Sequence, residues 1–238
     1  MDSFILDADN REELESFIDR KKNELGVRAW IGVCGWGRIL QHSSEDPEFQ
    51  EACDKAEKEI KSKVIDDLMK RLRDYSVGIV SGWTKWDVPW MAVKIAKKYD
   101  LPTIWVLPER GRKYSAADNL DVEVVVKPQY GESQFWDESQ VLTKISDGNV
   151  IIGGWTGTLV EVAHTLKMNE ALLKYGEMVK SIVPVSSAGG LGSMIHMLPW
   201  DIKVKAMTLP DREVKNGKEA FEVLRDKMGL DVLLSIDN

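Results

Sequence analysis

Residues 151–158 have the sequence Ile151-Ile152-Gly153-Gly154-Trp155-Thr156-Gly157-Thr158, an apolar run that breaks into a glycine turn. Such a run is typical of a buried parallel strand, and the turn after it predicts the start of a helix. In open α/β sheets, ligands bind outside the carboxyl ends of the strands, where glycines let backbone N–H groups approach a phosphate. The stretch therefore predicts an α/β sheet with a ligand site at this edge.

The same pattern occurs at two earlier places in the chain. Val33-Cys34-Gly35-Trp36-Gly37 and Ile79-Val80-Ser81-Gly82-Trp83-Thr84 each place an indole directly after a glycine. An indole offers a stacking face to a base, although a tryptophan is more often largely buried by packing. For each tryptophan considered alone, the better interpretation is a side chain packed in the protein interior. As a set on one edge, Trp36, Trp83 and Trp155 predict that at least one lines a pocket for a phosphorylated ligand with a stackable base.

Composition limits the classes of function. The chain has 238 residues, of which 43% are hydrophobic and 30% charged, with a net charge of −7. This composition fits one α/β domain and disfavours duplex DNA or anionic membrane as partners. The two cysteines have no metal-binding or disulfide spacing, and neither a signal peptide nor a run of ~20 apolar residues occurs. We therefore expect a cytoplasmic protein without a metal or a resident cofactor.

Strand and helix patterns alternate along most of the chain, which predicts a single doubly wound Rossmann-like domain with a mostly parallel central sheet. The predicted domain is 1–238, with a core over roughly 29–209, a helical N-terminal extension over 10–25 and a C-terminal helix near 217–228. Three details are predicted with it: a loop over 109–121, a helix over 135–146 and a strand over 203–209.

Two motifs leave alternatives open. Thr158 and Glu161 form a Thr-x-x-Glu capping box, or they belong to a ligand site in which the carboxylate stabilises a ribosyl cation or orients a water. The preceding strand and Gly-x-x-Gly favour the ligand site. Gly189 and Gly190 either cradle a phosphate or form a tight connection that needs positive φ.

The segment 154–161 resembles the Gly-Gly-x-Gly-Thr-x-x-Glu signature of the lysine-decarboxylase-like Rossmann superfamily, which includes the LOG and SLOG proteins. Gly154, Gly157, Thr158 and Glu161 match, and Trp155 stands in place of the second glycine. Similar strand and glycine-turn units at other positions extend the resemblance over roughly 29–195. The resemblance implies that the motif binds the phosphate and ribose of a nucleotide, and that Glu161 takes part in cleaving an N-glycosidic bond.

One departure from the family concerns positive charge. Active phosphoribohydrolases of this superfamily carry an arginine on the helix before the glycine-rich strand, and the family spacing puts that position near Asp137 and Glu138 here. Arg110 and Arg112, just after the strand that ends at Leu107, are an alternative source of positive charge.

We therefore predict binding of a nucleotide or nucleotide-sugar ligand, such as ADP-ribose or a nucleoside monophosphate, in the role of a sensor. One alternative is a phosphoribohydrolase acting on nucleoside 5′-monophosphates with Glu161 as the catalytic residue, and another is a scaffold whose pocket the indoles fill. The resemblance also implies a homodimer. The predicted ligand-binding residues are Gly35, Trp36, Gly37, Gly82, Trp83, Arg110, Arg112, Gly153, Gly154, Trp155, Thr156, Gly157, Thr158, Gly189 and Gly190.

Overall fold

Strands and helices alternate through the computed structural model, which describes residues 2–35, 47–82, 87–114 and 120–234. The strands in these ranges are β1 (Asp2–Leu6), β2 (Ala29–Cys34), β3 (Val77–Ser81), β4 (Thr103–Pro108), β5 (Val122–Val126), β6 (Gly148–Ile152) and β7 (Ser181–Val185). The α-helices are α1 (Glu13–Leu25), α2 (Pro47–Leu72), α3 (Asp87–Lys98), α4 (Ser139–Ile145), α5 (Thr156–Tyr175), α6 (Gly190–Met194), α7 (Ile202–Thr208), α8 (Gly217–Met228) and α9 (Leu230–Leu234).

The described strands form one sheet in the order β1-β5-β4-β3-β2-β6-β7, and all its strand pairs are parallel. The chain runs outward from β2 to β5 and then returns to the other side of β2 at β6. The strand order therefore reverses between β2 and β6, and open α/β sheets bind ligands in the crevice at such a switch point. The predicted doubly wound α/β fold is confirmed, with a sheet that is parallel throughout.

Helices cover both faces of the sheet, so the central strands are apolar on both sides. Side chains alternate along β2: Ile31 and Val33 join one core with α2, α3 and α8, whereas Trp30 and Cys34 join the other with α1, α4 and α5. All six residues of β2 are buried. Because β2 is buried on both faces of the sheet, its sequence is an uninterrupted apolar run, and this run allowed the strand to be predicted.

The N-terminal segment contributes a strand as well as the predicted helix. β1 pairs with β5 from Asp2 opposite Val122 to Leu6 opposite Val126, and α1 follows it. Only Leu6 of this strand is buried. The predicted N-terminal helix is present as α1. The strand before it was not predicted, because an edge strand that is mostly exposed carries no long apolar run.

The predicted strand over 203–209 is also wrong, since the structure has helix α7 there. Asp201 caps this helix through a side-chain oxygen that accepts a hydrogen bond from the backbone N–H of Val204 at 3.0 Å. Val204 and Thr208 are buried and lie four residues apart, which places them on one helical face.

Smaller differences affect two other segments. The predicted loop over 109–121 begins with a 3₁₀ helix at Glu109–Tyr114, and the predicted helix over 135–146 is confined to α4. Within the described ranges, no helix combines the length and the apolar character that crossing a bilayer requires.

Candidate functional site

A cavity of about 470 Å³ lies at the switch point of the sheet. Residues from three segments line it: 33–35 at the end of β2, 135–139 before and at the start of α4, and 156–161 at the start of α5. Gly82 and Pro89 complete the lining. These segments meet because β2 and β6 are neighbours in the sheet, and because α4 packs against α5.

A glycine turn carries the chain from β6 into α5. Gly153 and Gly154 have φ values of +68° and +94°, a region that L side chains rarely adopt. A Cβ on Gly154 would lie 2.7 Å from the Cβ of Thr158, which is buried against the turn. At the end of β2, a Cβ on Gly35 would lie 2.0 Å from the carbonyl oxygen of Ile152. The close approach of these segments therefore requires glycine.

Helix α5 begins at Thr156, with Trp155 as an N-cap residue that makes no side-chain capping bond. Thr158 and Glu161 lie inside the helix, so the capping-box interpretation is wrong. Thr156, Gly157 and Thr158 line the cavity, and the N-terminal end of the helix therefore faces it. A Cβ on Gly157 would meet no atom within 4 Å. First-turn N–H groups have no acceptor within their own helix, and they form a favourable site for an anion.

Glu161 places a carboxylate in this cavity, one further turn along α5. Its Oε2 atom is shielded from solvent and has no hydrogen-bond partner among the described residues. Burial raises the pKa of Glu161 to about 7, and a hydrogen bond with the Cys34 thiol partly opposes this effect. Glu161 therefore gains and loses a proton near neutral pH, as a general acid or base must.

The thiol of Cys34 lies between Glu161 and Asn149, with Sγ 3.8 Å from the Asn149 Oδ1 atom. Burial, with the neighbouring Glu161 carboxylate, raises the pKa of Cys34 well above its usual value, so this cysteine is a neutral thiol. In the part of the chain that the structure describes, no three His, Cys, Asp or Glu side chains are placed to hold a metal ion.

An aromatic wall precedes α4. Phe135 and Trp136 line the cavity and remain 39% and 59% exposed. The Arg110 guanidinium lies 4.4 Å from the centroid of the Phe135 ring, and it donates a hydrogen bond to Gln134 at 3.3 Å. Asp137 accepts a hydrogen bond from the Gln134 backbone N–H at 2.7 Å. The contact with Arg110 holds Phe135, and the bond to Asp137 fixes the backbone just before it.

Three cavity-lining residues, Phe135, Trp136 and Glu138, were not among the predicted ligand-binding residues. The family spacing put the arginine position near Glu138, which was a signal for this segment. The aromatic pair could not be placed at the cavity from the sequence, because its position depends on how the segment before α4 meets the start of α5.

Some predicted site residues come together at the cavity and others do not. Those that line it are Gly35, Gly82, Thr156, Gly157, Thr158 and Glu161. Those outside its lining are Arg110, Arg112, Gly153, Gly154, Trp155, Gly189 and Gly190, and of these Gly153 and Gly154 form the turn that positions α5. Trp36, Gly37 and Trp83 lie outside the described residues.

The turn at Gly189 and Gly190 packs against the turn at Gly153 and Gly154. The next two backbone N–H groups, those of Leu191 and Gly192, donate to the carbonyls of Gly154 and Gly153 at 2.9 and 3.0 Å. A Cβ on Gly190 would lie 2.6 Å from the Gly154 carbonyl oxygen. These contacts favour the tight-connection interpretation of the two glycines over the phosphate cradle.

Solved structures share this architecture. The molybdenum cofactor carrier protein from Chlamydomonas reinhardtii is 18% identical, with a TM-score of 0.53 over 85% of this chain and 99% of its own. The molybdenum cofactor binding protein from Rippkaea orientalis is 16% identical, with a TM-score of 0.54 over 84% and 98%. A structural genomics target is 16% identical, with a TM-score of 0.55 over 84% and 99%. The fold is Rossmann-like.

Neither a family model nor a curated protein matches the chain. At 16–18% identity, the likeness to these neighbours shows the Rossmann-like fold alone. The resemblance to the lysine-decarboxylase-like superfamily therefore rests on the sequence motif at residues 154–161.

Proposed function

We propose that the cavity at the switch point binds a nucleotide-type ligand, with its phosphate at the start of α5 and its ring against the aromatic wall. The observation that carries this proposal is the convergence of a helix N-terminus, the glycines Gly35 and Gly82 at strand ends, and two aromatic residues, Phe135 and Trp136, around one cavity. Its volume of about 470 Å³ is in the range of small-molecule sites.

Each part of the ligand has a physical counterpart in the lining. The positive end of the α5 dipole and the first-turn N–H groups favour a phosphate. An aromatic side chain stacks against any base, because every base has a π-face. The names of two structural neighbours give the molybdenum cofactor as their ligand, which supports a small-ligand function on this fold.

The test is retention of intact ligand by the purified protein, measured by mass spectrometry. The panel contains AMP, GMP, CMP, ADP-ribose, cyclic ADP-ribose and the molybdenum cofactor. The key variant is Gly157→Asp, with Gly157→Ala as its matched control, since there is open space for a side chain at this position. An acid in the first turn stabilises the helix but repels a phosphate, so we expect retention to weaken at least 10-fold in Gly157→Asp only. Equal retention by both variants would contradict the phosphate site.

A second candidate function is hydrolysis of an N-glycosidic bond, and Glu161 is the observation that favours it. A carboxyl group with a pKa of about 7 in a largely apolar cavity is suited to orient a water or to stabilise a ribosyl cation. Release of free base by the wild-type protein, lost in Glu161→Gln while the ligand is still retained, would establish this activity. Retention of an intact compound without release of base indicates a binding module. A protein that retains no compound of the panel is better described as a scaffold.

A further inference from the structure

A buried lysine lies beside the cavity without lining it. Lys61 of α2 is 1% exposed, and its ammonium group contacts the two carboxylate oxygens of Asp87 at 3.0 and 2.9 Å and Glu57 Oε1 at 2.7 Å. Taking a charged group out of water has a large desolvation penalty, which ion pairs offset only when their geometry is good. An apolar side chain would avoid this penalty, so the partners of the ammonium group are what distinguish a lysine at this position.

The first partner lies at the start of α3. Asp87 is the first residue of this helix, and its φ of +55° is in the left-handed region that non-glycine residues seldom adopt. Such a conformation persists where the surrounding contacts fix it, and Lys61 binds both oxygens of the Asp87 carboxylate. Pro89, two residues further on, lines the cavity. The Lys61–Asp87 pair therefore holds the part of α3 that borders the cavity.

The stem of the same lysine packs against the glycine turn before α5. A Cβ on Gly153 would lie 3.2 Å from Lys61 Cε and 3.7 Å from its Nζ. This turn leads to Thr156, Gly157 and Thr158, which line the cavity at the start of α5. One side chain of α2 thus contacts both the turn that sets the start of α5 and the residue that begins α3.

We propose that Lys61 is a positioning residue for the cavity, because it fixes the glycine turn before α5 and the start of α3 relative to each other. This inference rests on the proposed function, since it names the group that keeps the same ligand site in shape. Lys61 acts through Asp87 and Gly153 and has no contact with the ligand. Without the ion pair, the left-handed conformation of Asp87 loses its anchor, and the N–H groups at the start of α5 lose a fixed orientation toward a phosphate.

Hydrogen exchange measured by mass spectrometry tests this role in the ligand-free protein. Asp87→Asn removes the ion pair but keeps a residue type that tolerates positive φ, and it leaves Lys61 paired with Glu57. The N–H groups of Leu191 and Gly192 report on the turn, because they donate to its carbonyls. We expect peptides that contain these two amides to exchange roughly 10-fold faster in Asp87→Asn, since local opening of the turn becomes easier.

The matched control is Asp66→Asn, which breaks a different ion pair between α2 and α3. Asp66 contacts Lys98, the last residue of α3, at 2.7 Å. This substitution should leave the exchange of Leu191 and Gly192 unchanged. Equal acceleration in both variants, or no acceleration in Asp87→Asn, would overturn the inference.

A second pair of variants removes the ammonium group itself. Lys61→Met should accelerate the same peptides, whereas Lys63→Met, at an exposed position of the same helix, should not. Acceleration of the same size in peptides from β4 and β5 would show that Lys61 only stabilises the fold, and this result would also overturn the inference. If Lys61→Met does not fold, the comparison of Asp87→Asn with Asp66→Asn decides the question.

Titration calorimetry with AMP and with ADP-ribose connects positioning to binding. The titrations are made well below the unfolding temperature of each variant, so that a loss of stability alone does not lower the affinity. We expect Asp87→Asn to bind roughly 10-fold more weakly than the wild-type protein, because the site is less well preorganised, and Asp66→Asn to bind equally well. Unchanged affinity in Asp87→Asn would overturn the inference. If the wild-type protein binds neither compound, the proposed function is contradicted, and the exchange data still decide whether Lys61 positions the turn.

Discussion

Glu161 has an environment unlike that of an ordinary surface glutamate. It lies inside α5, contacts the Cys34 thiol, and keeps Oε2 out of solvent in a cavity with apolar walls. Because burial penalises the charged form, the carboxyl group holds its proton to a pH at which an exposed glutamate is ionised. The protonation of this residue is therefore coupled to folding stability.

The raised pKa predicts a pH dependence of folding. The pKa of Glu161 rises from 4.5 to about 7, so between these pH values the folded state holds a proton that the unfolded state has lost. The contribution of Glu161 to stability is thus fully present below about pH 4.5 and is lost as the pH rises through about 7. In Glu161→Gln this loss is absent. Urea unfolding at pH 5.5 and pH 8 should show the variant gaining about 2 kcal/mol relative to the wild-type protein at the higher pH. Parallel pH profiles for the two proteins would show that Glu161 is ionised in the folded state throughout this range.

At the scale of elements, the end of α4 is tied to the start of β7 by one side chain. The ammonium group of Lys180 donates hydrogen bonds to the carbonyls of Thr143, Lys144 and Ser146 at 3.0, 2.8 and 2.6 Å. The last carbonyls of a helix have no partner within it, and Lys180 supplies one. The other end of α4 carries Glu138 and the aromatic wall, so this tie also supports the cavity.

Replacing Lys180 with methionine should therefore destabilise the protein. The methionine retains most of the apolar stem but leaves the three carbonyls without their donor, at an expected cost of roughly 1–3 kcal/mol in the free energy of unfolding. Chemical denaturation followed by circular dichroism measures it. Lys174→Met, on the exposed last turn of α5, is the control and should change stability by less than about 0.5 kcal/mol. An equal change in stability for both substitutions would show that the hydrogen bonds of Lys180 to the end of α4 do not stabilise the fold.

The central strands of the sheet could be predicted from the sequence, whereas two peripheral elements, β1 and α7, could not. β2, β3, β4 and β6 are buried on both faces, so their composition alone marks them. β1 lies at the edge of the sheet, and only Leu6 of its five residues is buried. α7 was mistaken for a strand because its sequence, Ile-Lys-Val-Lys-Ala-Met-Thr, alternates apolar and polar residues over its first turn. The hydrogen bond that the Asp201 side chain accepts from the Val204 N–H caps this segment and stabilises it as a helix.

The candidate site shows the same division. The glycine turn after β6 is a local feature, because the φ of Gly154 and its contact with Thr158 involve residues four positions apart. It could therefore be predicted from the sequence. The aromatic wall depends on the packing of Arg110 against Phe135, which local sequence patterns do not encode.

At the scale of the whole molecule, two cores share one sheet. α2, α3 and α8 pack on one face and α1, α4 and α5 on the other, with side chains of β2 in both cores. If the helices on one face of the sheet detach, the apolar side chains of the strands on that face are exposed to solvent. The same strands also form the core on the other face, so the loss of one core destabilises the other. We therefore expect residues 1–238 to unfold as a single cooperative unit.

This expectation is tested by comparing two probes in one denaturant titration. Far-ultraviolet circular dichroism reports the helices, and tryptophan fluorescence reports the burial of the indoles. Two of these are fully buried: Trp30 lies in the core with α1, α4 and α5, and Trp105 lies in a smaller cluster with Val93 of α3. The two transitions should coincide. Two separated transitions, or a stable fragment after limited proteolysis, would indicate that the two faces of the sheet fold independently.

The strand order has a consequence for the growing chain on the ribosome. β2 receives its partner β3 from the next part of the sequence, but its other neighbour, β6, is synthesised more than a hundred residues later. Until Gly148–Ile152 has emerged, one side of β2, a strand buried along its whole length, presents unpaired N–H and C=O groups. Unprotected strand edges of this kind promote association between chains. Nascent chains that stall before residue 148 should therefore aggregate or recruit chaperones, whereas chains that extend past β7 should not.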